Sequence, residues 1–454
     1  MTQDRYALFP IKILQTLFVA FILFSLITAC GQQQPVVSPN QVPPTVPPEP
    51  AMTSSPVPAP TKVTPSPLPP TETLAPSPTS FVPKATIKIA SQSPLSVQFV
   101  DMGTDIMRSA DLAVSQLATP LVELGYKVEL APYDDQNDFS VAVDVAKQIT
   151  ADPEILCVVG PFGSRVLNQV KEIYHQTNLP FISPSATAAF VADSGYLEVN
   201  RVVGRHDGQG AVGAQFANEQ GFSRVFIVSQ TSDFAQFNAY HFQNEAVRLG
   251  IEIVGDMSTD AAKDFGWIVD RVKAADADLV YFSTLSVDQA GAFFREARAA
   301  GYMGAFLGNE GINDPALLEL AGPLLIEGGG MYYTAITASA SYYPGAANFL
   351  EDFETLYGAI PQMFAAHAYD AAGICLEAIE EASKAKDGEI PTRAEVAKAI
   401  RTLQDYQGIT GVYRFDVNGD PDPAQYFVFQ VVSVVPGDWS QNVLVATFEV
   451  SPPE

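Results

Sequence analysis

From about Ala85 onward, the chain alternates short apolar runs with longer segments whose apolar residues recur three and four positions apart. The runs predict buried strands and the longer segments predict helices. A first series has predicted strands at Ile87–Ala90, Lys127–Leu130, Ile155–Val159 and Pro180–Ser183, with helices at Asp105–Leu124, Val141–Thr150 and Ser164–Thr177. A second series has strands at Arg224–Ser229, Glu252–Gly255, Leu279–Ser283 and Ala305–Leu307, with helices at Gly210–Glu219, Phe237–Leu249, Phe265–Ala274 and Asp288–Ala300. Regular alternation is typical of parallel sheets with helices on both faces, so we predict an α/β fold.

The two series predict two Rossmann-like lobes that face each other across a cleft. Ligands of open parallel sheets bind beyond the carboxyl ends of the strands, which makes the cleft the expected binding site. The predicted division is lobe 1 from residues 85–205 with 334–411, and lobe 2 from residues 206–333 with 412–450. The first crossover between the lobes falls at residues 205–206, and the second is predicted at Tyr332–Ile336. The later elements are predicted as helices at Ala347–Tyr357, Phe364–Lys384 and Arg393–Leu403, a third crossover near Gly411, and a hairpin of Val412–Phe415 with Tyr426–Val432. A hinge of three segments permits rigid-body closure.

The first thirty residues have the pattern of an export signal. Arg5 and Lys12 precede an apolar run from Ile13 to Ala29, and Cys30 follows directly. A short basic region, a hydrophobic segment and small residues before a cut are typical of a secretory signal, here residues 1–29. The end of the run resembles the lipobox of bacterial lipoproteins, which implies cleavage before Cys30 and a lipid thioether on its sulfur. The alternative is an uncleaved membrane-spanning anchor, for which the run is short.

Residues 30–84 are predicted to be a linker. The stretch 35–83 holds 17 of the chain's 35 prolines, and serine and threonine fill much of the rest. Such a composition cannot bury a core and favours a partly extended tether, which can reach on the order of 100 Å. A proline-rich motif that binds a partner is the alternative interpretation.

Charge and cysteine content narrow the possible functions. The 454 residues are 47 % apolar and can form two cores, but the net charge of −26 argues against binding nucleic acid or anionic lipid directly. Cys157 lies in an apolar run and Cys375 in an alanine-rich helix, so we expect two buried free thiols rather than a disulfide. The cysteine and histidine spacings predict no metal site, and we expect no cofactor.

Five short phrases suggest a family. In chain order they are Tyr133-Asp134-Asp135-Gln136, Val159-Gly160-Pro161 with Ser164, Ile182 to Thr187, Asp207-Gly208-Gln209-Gly210, and Gly308-Asn309-Glu310-Gly311. Together they resemble the leucine/isoleucine/valine-binding proteins of ABC importers, which are type I periplasmic binding proteins. The resemblance runs from about Ala85 to Val450. It implies a monomeric, non-catalytic protein that captures an amino acid outside the cytoplasmic membrane and delivers it to ABC permease and ATPase subunits.

The resemblance also implies a set of ligand contacts. Ser164 and Thr187 would bind the α-carboxylate through hydroxyl and backbone N–H groups, and the start of a helix at Ser164 suits an anion. The Ser185 carbonyl would accept from the α-ammonium, with Ala186 in the same loop, and Glu310 on the other lobe would be the counter-charge. The remaining predicted contacts, which would surround the ligand side chain, are Met102, Phe234, Leu285 and Phe364.

This sequence departs from the family pattern at several of those positions. Phe234 and Phe364 stand where tyrosines are expected, Met102 stands where an aromatic residue is expected, and Leu285 is in place of a tyrosine. The cysteine pair near the cleft is replaced by Asn137 and Gly163. The pocket is therefore expected to be apolar but reshaped, so that it takes a branched-chain amino acid or another apolar one.

Two motifs invite other interpretations. Residues 208–213 spell GxGxxG, but the preceding segment is too polar for the buried strand that a dinucleotide site requires. Residues 416–422 resemble a calcium loop, but glycine comes fourth and Phe427 occupies the twelfth position, so a hairpin turn is the better prediction.

The same fold can also serve as a ligand-free, protein-binding regulator of cell-wall synthesis, or as a ligand sensor. Retention of Ser164, Thr187 and Glu310 favours a small zwitterionic ligand over the ligand-free regulator. A surface hydrolase is disfavoured because no nucleophile–base pair is recognisable in the sequence.

Overall fold

The structure, a computed structural model, describes residues 82–260 and 263–452. The predicted signal segment, Cys30 and nearly all of the proline-rich linker lie outside these residues. Within them, none of the helices combines the length and the apolar character needed to cross a bilayer.

The strands are β1 (Ala85–Ser93), β2 (Tyr126–Asp134), β3 (Ile155–Val159), β4 (Phe181–Ser183), β5 (Val199–Arg201), β6 (Arg224–Gln230), β7 (Glu252–Thr259), β8 (Leu279–Ser283), β9 (Ala305–Gly308), β10 (Met331–Ala335), β11 (Tyr406–Gln407), β12 (Val412–Tyr413), β13 (Ala424–Gln430) and β14 (Val443–Val450). The helices are α1 (Val100–Leu117), α2 (Thr119–Glu123), α3 (Phe139–Ala151), α4 (Ser164–Gln176), α5 (His206–Glu219), α6 (Asp233–Arg248), α7 (Gly266–Ala274), α8 (Val287–Ala299), α9 (Ala316–Ala321), α10 (Ala347–Tyr357), α11 (Ala365–Lys384) and α12 (Arg393–Thr402). Short 3₁₀ turns lie at Ala189–Val191, Glu310–Ile312, Ala340–Tyr342, Pro344–Ala346 and Pro436–Gln441.

Two sheets organise the two α/β lobes, as the alternation of strands and helices predicts. The first has the strand order β2-β1-β3-β4-β5 and is parallel throughout. The second has the order β14-β13-β10-β9-β8-β6-β7. It is parallel from β7 to β10 and ends in the antiparallel strands β13 and β14. A parallel sheet must be covered on both faces, and the central strands β3 and β8 are buried at every position.

Helix α11 fills the centre of the first lobe. It packs along α1 and against β3 and β4, and most of its residues are buried. Alanine dominates its sequence, and such small side chains allow neighbouring elements to approach closely. The predicted span from Phe364 to Lys384 is therefore a core helix rather than a surface one.

The expectation that Cys157 and Cys375 are free thiols is wrong. The two residues form a disulfide between β3 and α11, with Cα atoms 5.9 Å apart. Their separation of 218 residues hides the pairing from any argument based on spacing. Burial of the two cysteines suggested inert thiols, but buried cysteines are equally compatible with a disulfide between two elements that pack in one core.

The predicted terminal hairpin is also wrong in its partner. Strand β13 pairs with β14 and β10, whereas β12 pairs with β11 in a separate two-stranded sheet. An isolated bridge joins Phe415 to Pro421, which lies in the segment that was expected to form the turn, and no ladder joins Val412–Phe415 to Tyr426–Val432 in the part of the chain that the structure describes. Pro421 and Pro423 lack the N–H groups that a continuous ladder would need.

The three predicted crossover segments lie side by side. Val203, Ile336 and Gly411 line one cavity of about 310 Å³ together with the buried His367. Asp370 of α11 fixes the third segment, because its carboxylate accepts from the backbone N–H groups of residues 409 and 410 at 2.7 and 2.9 Å. The exact residues at which one lobe ends and the other begins remain a prediction.

Candidate functional site

A cavity of about 620 Å³ lies between loops of the two sheets. Ser164 and Thr187 line it from the first sheet, at the loops after β3 and β4. Phe234 and Leu285 line it from the second sheet, at the loops after β6 and β8. Each position follows the carboxyl end of a parallel strand, which is where such sheets present ligand contacts. Four of the nine predicted contacts are therefore brought together in one cavity.

Side-chain hydroxyl groups join the two first-lobe loops. The Ser164 hydroxyl oxygen accepts from the Ala188 N–H at 3.3 Å, and the Ser185 hydroxyl donates to the Phe162 carbonyl at 2.8 Å. The Ser183 oxygen accepts from the Ala186 N–H at 3.0 Å. Because the Ser164 oxygen is an acceptor in this network, its proton remains available to donate to an anion.

Helix α4 begins at Ser164 without a side-chain cap, since its N-cap residue is Gly163. The unpaired N–H groups of the first turn and the helix dipole favour an anion there. Asn137 and Gly163 are neighbours, because a Cβ atom built on the glycine would come within 2.4 Å of the asparagine Oδ1. The two positions where the resemblance places a family disulfide therefore lie together in space.

Arg201 supports the ligand-facing loop from behind. Its side chain is fully buried, and its Nη1 donates to the carbonyls of Ala186 and Ala188, each at 2.9 Å. These carbonyls flank Thr187, so the guanidinium fixes the backbone on both sides of a predicted contact. Sequence analysis did not identify Arg201, because no motif connects it to a loop thirteen residues earlier.

His206, at the start of α5, forms part of the cavity wall. Its backbone N–H and its ring Nδ1 both lie within hydrogen-bond distance of the Thr187 carbonyl, at 3.0 and 2.9 Å. A carbonyl only accepts, so Nδ1 carries the proton. The ring packs near Phe234 and Phe237, and burial lowers the pKa of His206, which keeps it neutral.

The first turn of α6 forms the opposite wall. Ser232 caps this helix by accepting from the Ala235 N–H, which directs Phe234 and Phe237 to the cavity. Across the opening, Arg165 and Asp233 approach to 3.9 Å, with both side chains well exposed. An exposed pair of this kind contributes little free energy, so it marks the proximity of the two walls rather than locking them.

Glu310 begins the 3₁₀ turn after β9 and does not line this cavity. The Oε2 of Glu310 is shielded from water and has no hydrogen-bond partner within the described residues. Burial raises the pKa of Glu310 to about 7. The next residue, Gly311, lies against the Thr284 carbonyl, so the turn adjoins the loop that carries Leu285. An unpaired buried acceptor of this kind suits a cationic donor.

The other predicted contacts lie elsewhere. Ser185 and Ala186 are buried in the loop behind Thr187. Phe364 is half-buried between both lobes, edge-on to Phe162 with ring centroids 6.2 Å apart. Met102 lines a different cavity. The structure therefore places these four residues outside the lining of the Ser164 cavity.

Several lining residues were missed by sequence analysis, namely Arg165, Phe190, Asp193, His206, Asp233 and Phe237. Most adjoin a predicted contact in sequence, so extending each motif by a few residues would have found them. No group of three or more potential metal ligands is present in the part of the chain that the structure covers.

Comparison with known proteins agrees with this architecture. Residues 86–434 match the family model described as periplasmic binding protein. The Leu/Ile/Val-binding protein homolog 1 of Brucella melitensis is 25 % identical over 330 residues, which are 72 % of this chain and 85 % of that protein. The leucine-, isoleucine-, valine-, threonine-, and alanine-binding protein of Pseudomonas aeruginosa is 26 % identical over 347 residues, which are 76 % of this chain and 90 % of that protein.

Solved structures give the same fold. The leucine binding protein LivK of Thermotoga maritima superposes with a TM-score of 0.63 at 24 % identity, covering 81 % of this chain and 99 % of that one. An ABC transporter substrate-binding protein of Desulfitobacterium hafniense in complex with Leu gives a TM-score of 0.65 at 22 % identity. The match covers 79 % of this chain and 100 % of that one. The chain belongs to the periplasmic binding protein family, in the type I group that includes the leucine/isoleucine/valine-binding proteins.

Proposed function

We propose that this protein captures an α-amino acid between its lobes and delivers it to the permease and ATPase subunits of an ABC importer. The observation that carries the proposal is the cavity lined by Ser164 and Thr187 from one lobe and by Phe234 and Leu285 from the other. Family relatives are substrate-binding proteins, and the proposed role involves no chemical reaction.

The proposed contacts divide the zwitterion between the lobes. Ser164 and Thr187 would bind the carboxylate at the start of α4, and Glu310 would face the ammonium once the lobes close. Charge-assisted hydrogen bonds are worth about 1.5–3 kcal/mol each. Because only the closed form satisfies both ends of the ligand, binding would shift the protein toward closure. The moving units would be residues 85–205 with 334–411, and 206–333 with 412–450.

An apolar side chain is the proposed specificity. Phe190, Phe234 and Phe237 line the cavity, and burial against such rings favours aliphatic or aromatic groups. The Pseudomonas aeruginosa relative is named for leucine, isoleucine, valine, threonine and alanine, which supports a branched-chain or similar ligand. Met102 and Phe364 remain proposed contacts, and closure of the lobes would have to bring them to the ligand. Ser185 and Ala186 would contact the ligand through backbone groups.

The proposed location is the outer face of the cell membrane, with the monomeric protein held by lipid on Cys30. The Cys157–Cys375 disulfide supports an oxidising compartment outside the cytoplasm. Replacing Cys30 by serine is expected to move the protein from the membrane fraction to the soluble fraction and to abolish incorporation of labelled fatty acid. Unchanged membrane association of Cys30→Ser would contradict lipid anchoring.

A thermal-shift screen of the whole protein against the standard amino acids tests the binding proposal. At least one apolar amino acid is expected to raise Tm in a saturable way, because it binds only the folded state. Glu310→Gln is expected to abolish the shift without lowering the Tm of the ligand-free protein. Should no zwitterion shift the Tm of the folded wild type, the amino-acid proposal fails.

A further inference from the structure

A second cavity, of about 650 Å³, lies between the lobes beside the segment that follows β10. Met102 of α1 and the loop at 361–363 line it on one side, and Asn313 and Trp439 line it on the other. It has no lining residue in common with the cavity of Ser164. Among the amino-acid contacts proposed above, Met102 alone lines this second cavity, so those contacts leave most of its lining unexplained.

A stack of aromatic rings forms one wall. The ring of Tyr333 lies between Trp439, at 5.5 Å and 14°, and Phe429, at 5.3 Å and 19°. The Trp439 Nε1–H donates to the Asn313 Oδ1 at 3.1 Å, which fixes the indole at the end of the stack. Trp439 is only partly buried, whereas Tyr333 and Phe429 are buried. The wall is thus a supported, rigid apolar face whose outermost ring borders the cavity.

The polar groups of the lining are all neutral. Apart from the aromatic, glycine, alanine, proline and methionine residues, the lining consists of Asn313, Thr337, Ser339, Ser341, Gln362, Ser440 and Asn442. None of the described residues that line the cavity carries a charge. A charged ligand would lose its water without gaining a counter-charge, and a purely apolar one would leave the amides and hydroxyls dehydrated.

Asn442 provides the second, independent observation. The residue is 4 % exposed, its Nδ2 donates to the Tyr333 hydroxyl at 3.4 Å, and its backbone carbonyl accepts from the Tyr342 hydroxyl at 2.8 Å. Its Oδ1 has no hydrogen-bond partner in the part of the chain that the structure describes. A buried acceptor left unpaired calls for a donor, and the terminal torsion of an asparagine is soft enough to turn toward one.

We propose that this cavity binds an uncharged sugar. A pyranose ring presents C–H groups on its faces, which fit against the indole of Trp439, and hydroxyl groups around its edge. Those hydroxyls both donate and accept, which matches a lining of amides and hydroxyls and supplies the donor that Asn442 lacks. The volume lies within the range of small-molecule sites, about 300–1,000 Å³.

A ligand in this cavity would contact both lobes. Met102 lies on α1 and Gln362 just before α11, which pack together beside the first sheet, whereas Trp439 and Asn442 lie between β13 and β14 of the second sheet. A molecule that touches both walls stabilises one separation of the lobes over others, so its binding is coupled to closure. A sugar bound in this cavity would therefore also change how readily the cleft closes.

Tryptophan fluorescence of the whole protein tests the proposal. The chain has two tryptophans, Trp267 and Trp439, and Trp267→Phe leaves the one at the cavity as the only reporter. This parent is titrated with glucose, galactose, N-acetylglucosamine, sucrose and trehalose, up to about 10 mM, which detects a millimolar Kd. At least one sugar is expected to give a saturable change in emission, and glucuronate, which is charged, is expected to give none.

Two variants of the parent locate the signal. Asn442→Leu removes the unpaired acceptor, and Gln362→Trp fills the cavity from the opposite wall. Each variant is expected to weaken the sugar titration at least tenfold. Ser164→Ala is the matched control and is expected to leave it unchanged, so that failure of the amino-acid site is distinguishable. The absence of a saturable response to all five sugars overturns the proposal, as does an unchanged titration in both cavity variants when circular dichroism shows that they fold.

Discussion

Arg201 and Asp420 form an ion pair from which water is fully excluded, with both side chains 0 % exposed. Arg201 ends β5 behind the ligand-facing loop, and Asp420 lies in the loop between β12 and β13, beyond the third crossover. Arg205 reaches the other oxygen of Asp420 at 3.3 Å and binds Asp207 at 2.6 Å. The proposed ligand loop and the hinge are thereby joined through one buried carboxylate.

Replacing Asp420 by asparagine is expected to lower the free energy of unfolding by about 3–5 kcal/mol, because the Arg201 guanidinium is left buried without its counter-charge. Urea denaturation measures the change. Asp405→Asn is the matched control, since Asp405 pairs with Arg414 at 3.9 Å with both side chains exposed, and its loss is expected to cost less than about 1 kcal/mol. Equal effects of the two substitutions would contradict the structural importance of the buried pair.

Glu310 is expected to make amino-acid binding depend on pH. Burial raises the pKa of its carboxyl group to about 7 in the free protein. A bound ammonium would favour the carboxylate and lower that pKa in the complex. Below about pH 7 the free carboxyl group is protonated, so binding must release a proton. Kd is therefore expected to rise by up to tenfold for each unit by which the pH falls, until the pKa of Glu310 in the complex is reached. Calorimetry from about pH 5 to pH 8 measures this dependence.

Glu310→Gln is the control for the pH effect. Its affinity is expected to be low and independent of pH over the same range. The ligand-free wild type gives an opposite and independent signal. The raised pKa of Glu310 in the folded state stabilises the fold at low pH, and that contribution to the free energy of unfolding is lost as the pH rises from about 4.5 through about 7. A wild-type Kd that does not change with pH would contradict the assignment of Glu310 to the ammonium.

The alternation of apolar runs was enough to predict the two sheets and the order of most elements, because the interior strands β3, β8 and β9 are buried at every position. Some short strands and some elements near the end of the chain were not predicted. Strand β5 has three residues, too few to show a period, and β10 was interpreted only as a crossover although it pairs within the second sheet. The partner of β13 was missed because β14 alternates exposed and half-buried residues at the sheet edge.

The candidate site was predictable in part, because loops after parallel strands carry its contacts. Ser164, Thr187, Phe234 and Leu285 lie in such loops and meet in one cavity, whereas Glu310 also lies in such a loop but does not line it. Arg201 acts through two carbonyls, and such contacts leave no residue pattern. The Cys157–Cys375 bridge depends on how α11 packs on β3, which only the three-dimensional structure gives.

Loss of the Cys157–Cys375 disulfide is expected to destabilise the first lobe. The bridge closes a loop of 218 residues and so restricts the unfolded chain strongly, by about 2–5 kcal/mol in general. The double variant Cys157→Ala/Cys375→Ala is expected to unfold at lower urea concentration and to be insensitive to dithiothreitol, whereas the wild type loses stability when reduced. Cys30 is present in both proteins, so its effect cancels. A wild type indifferent to reductant would show that no such bridge exists.

Ser164→Ala is expected to weaken amino-acid binding by about ten- to a hundredfold, because a hydroxyl donor to a carboxylate contributes about 1.5–3 kcal/mol. The same hydroxyl oxygen accepts from the Ala188 N–H, so part of the loss would come through the loop. Calorimetry with the amino acid that raises Tm most measures the change. Ser140→Ala is the matched control: the Ser140 hydroxyl donates to the exposed Asp138 at the start of α3 and does not line the Ser164 cavity, so the affinity of this variant is expected to equal that of the wild type. Equal affinities of both variants would place the ligand's carboxylate elsewhere than at the start of α4.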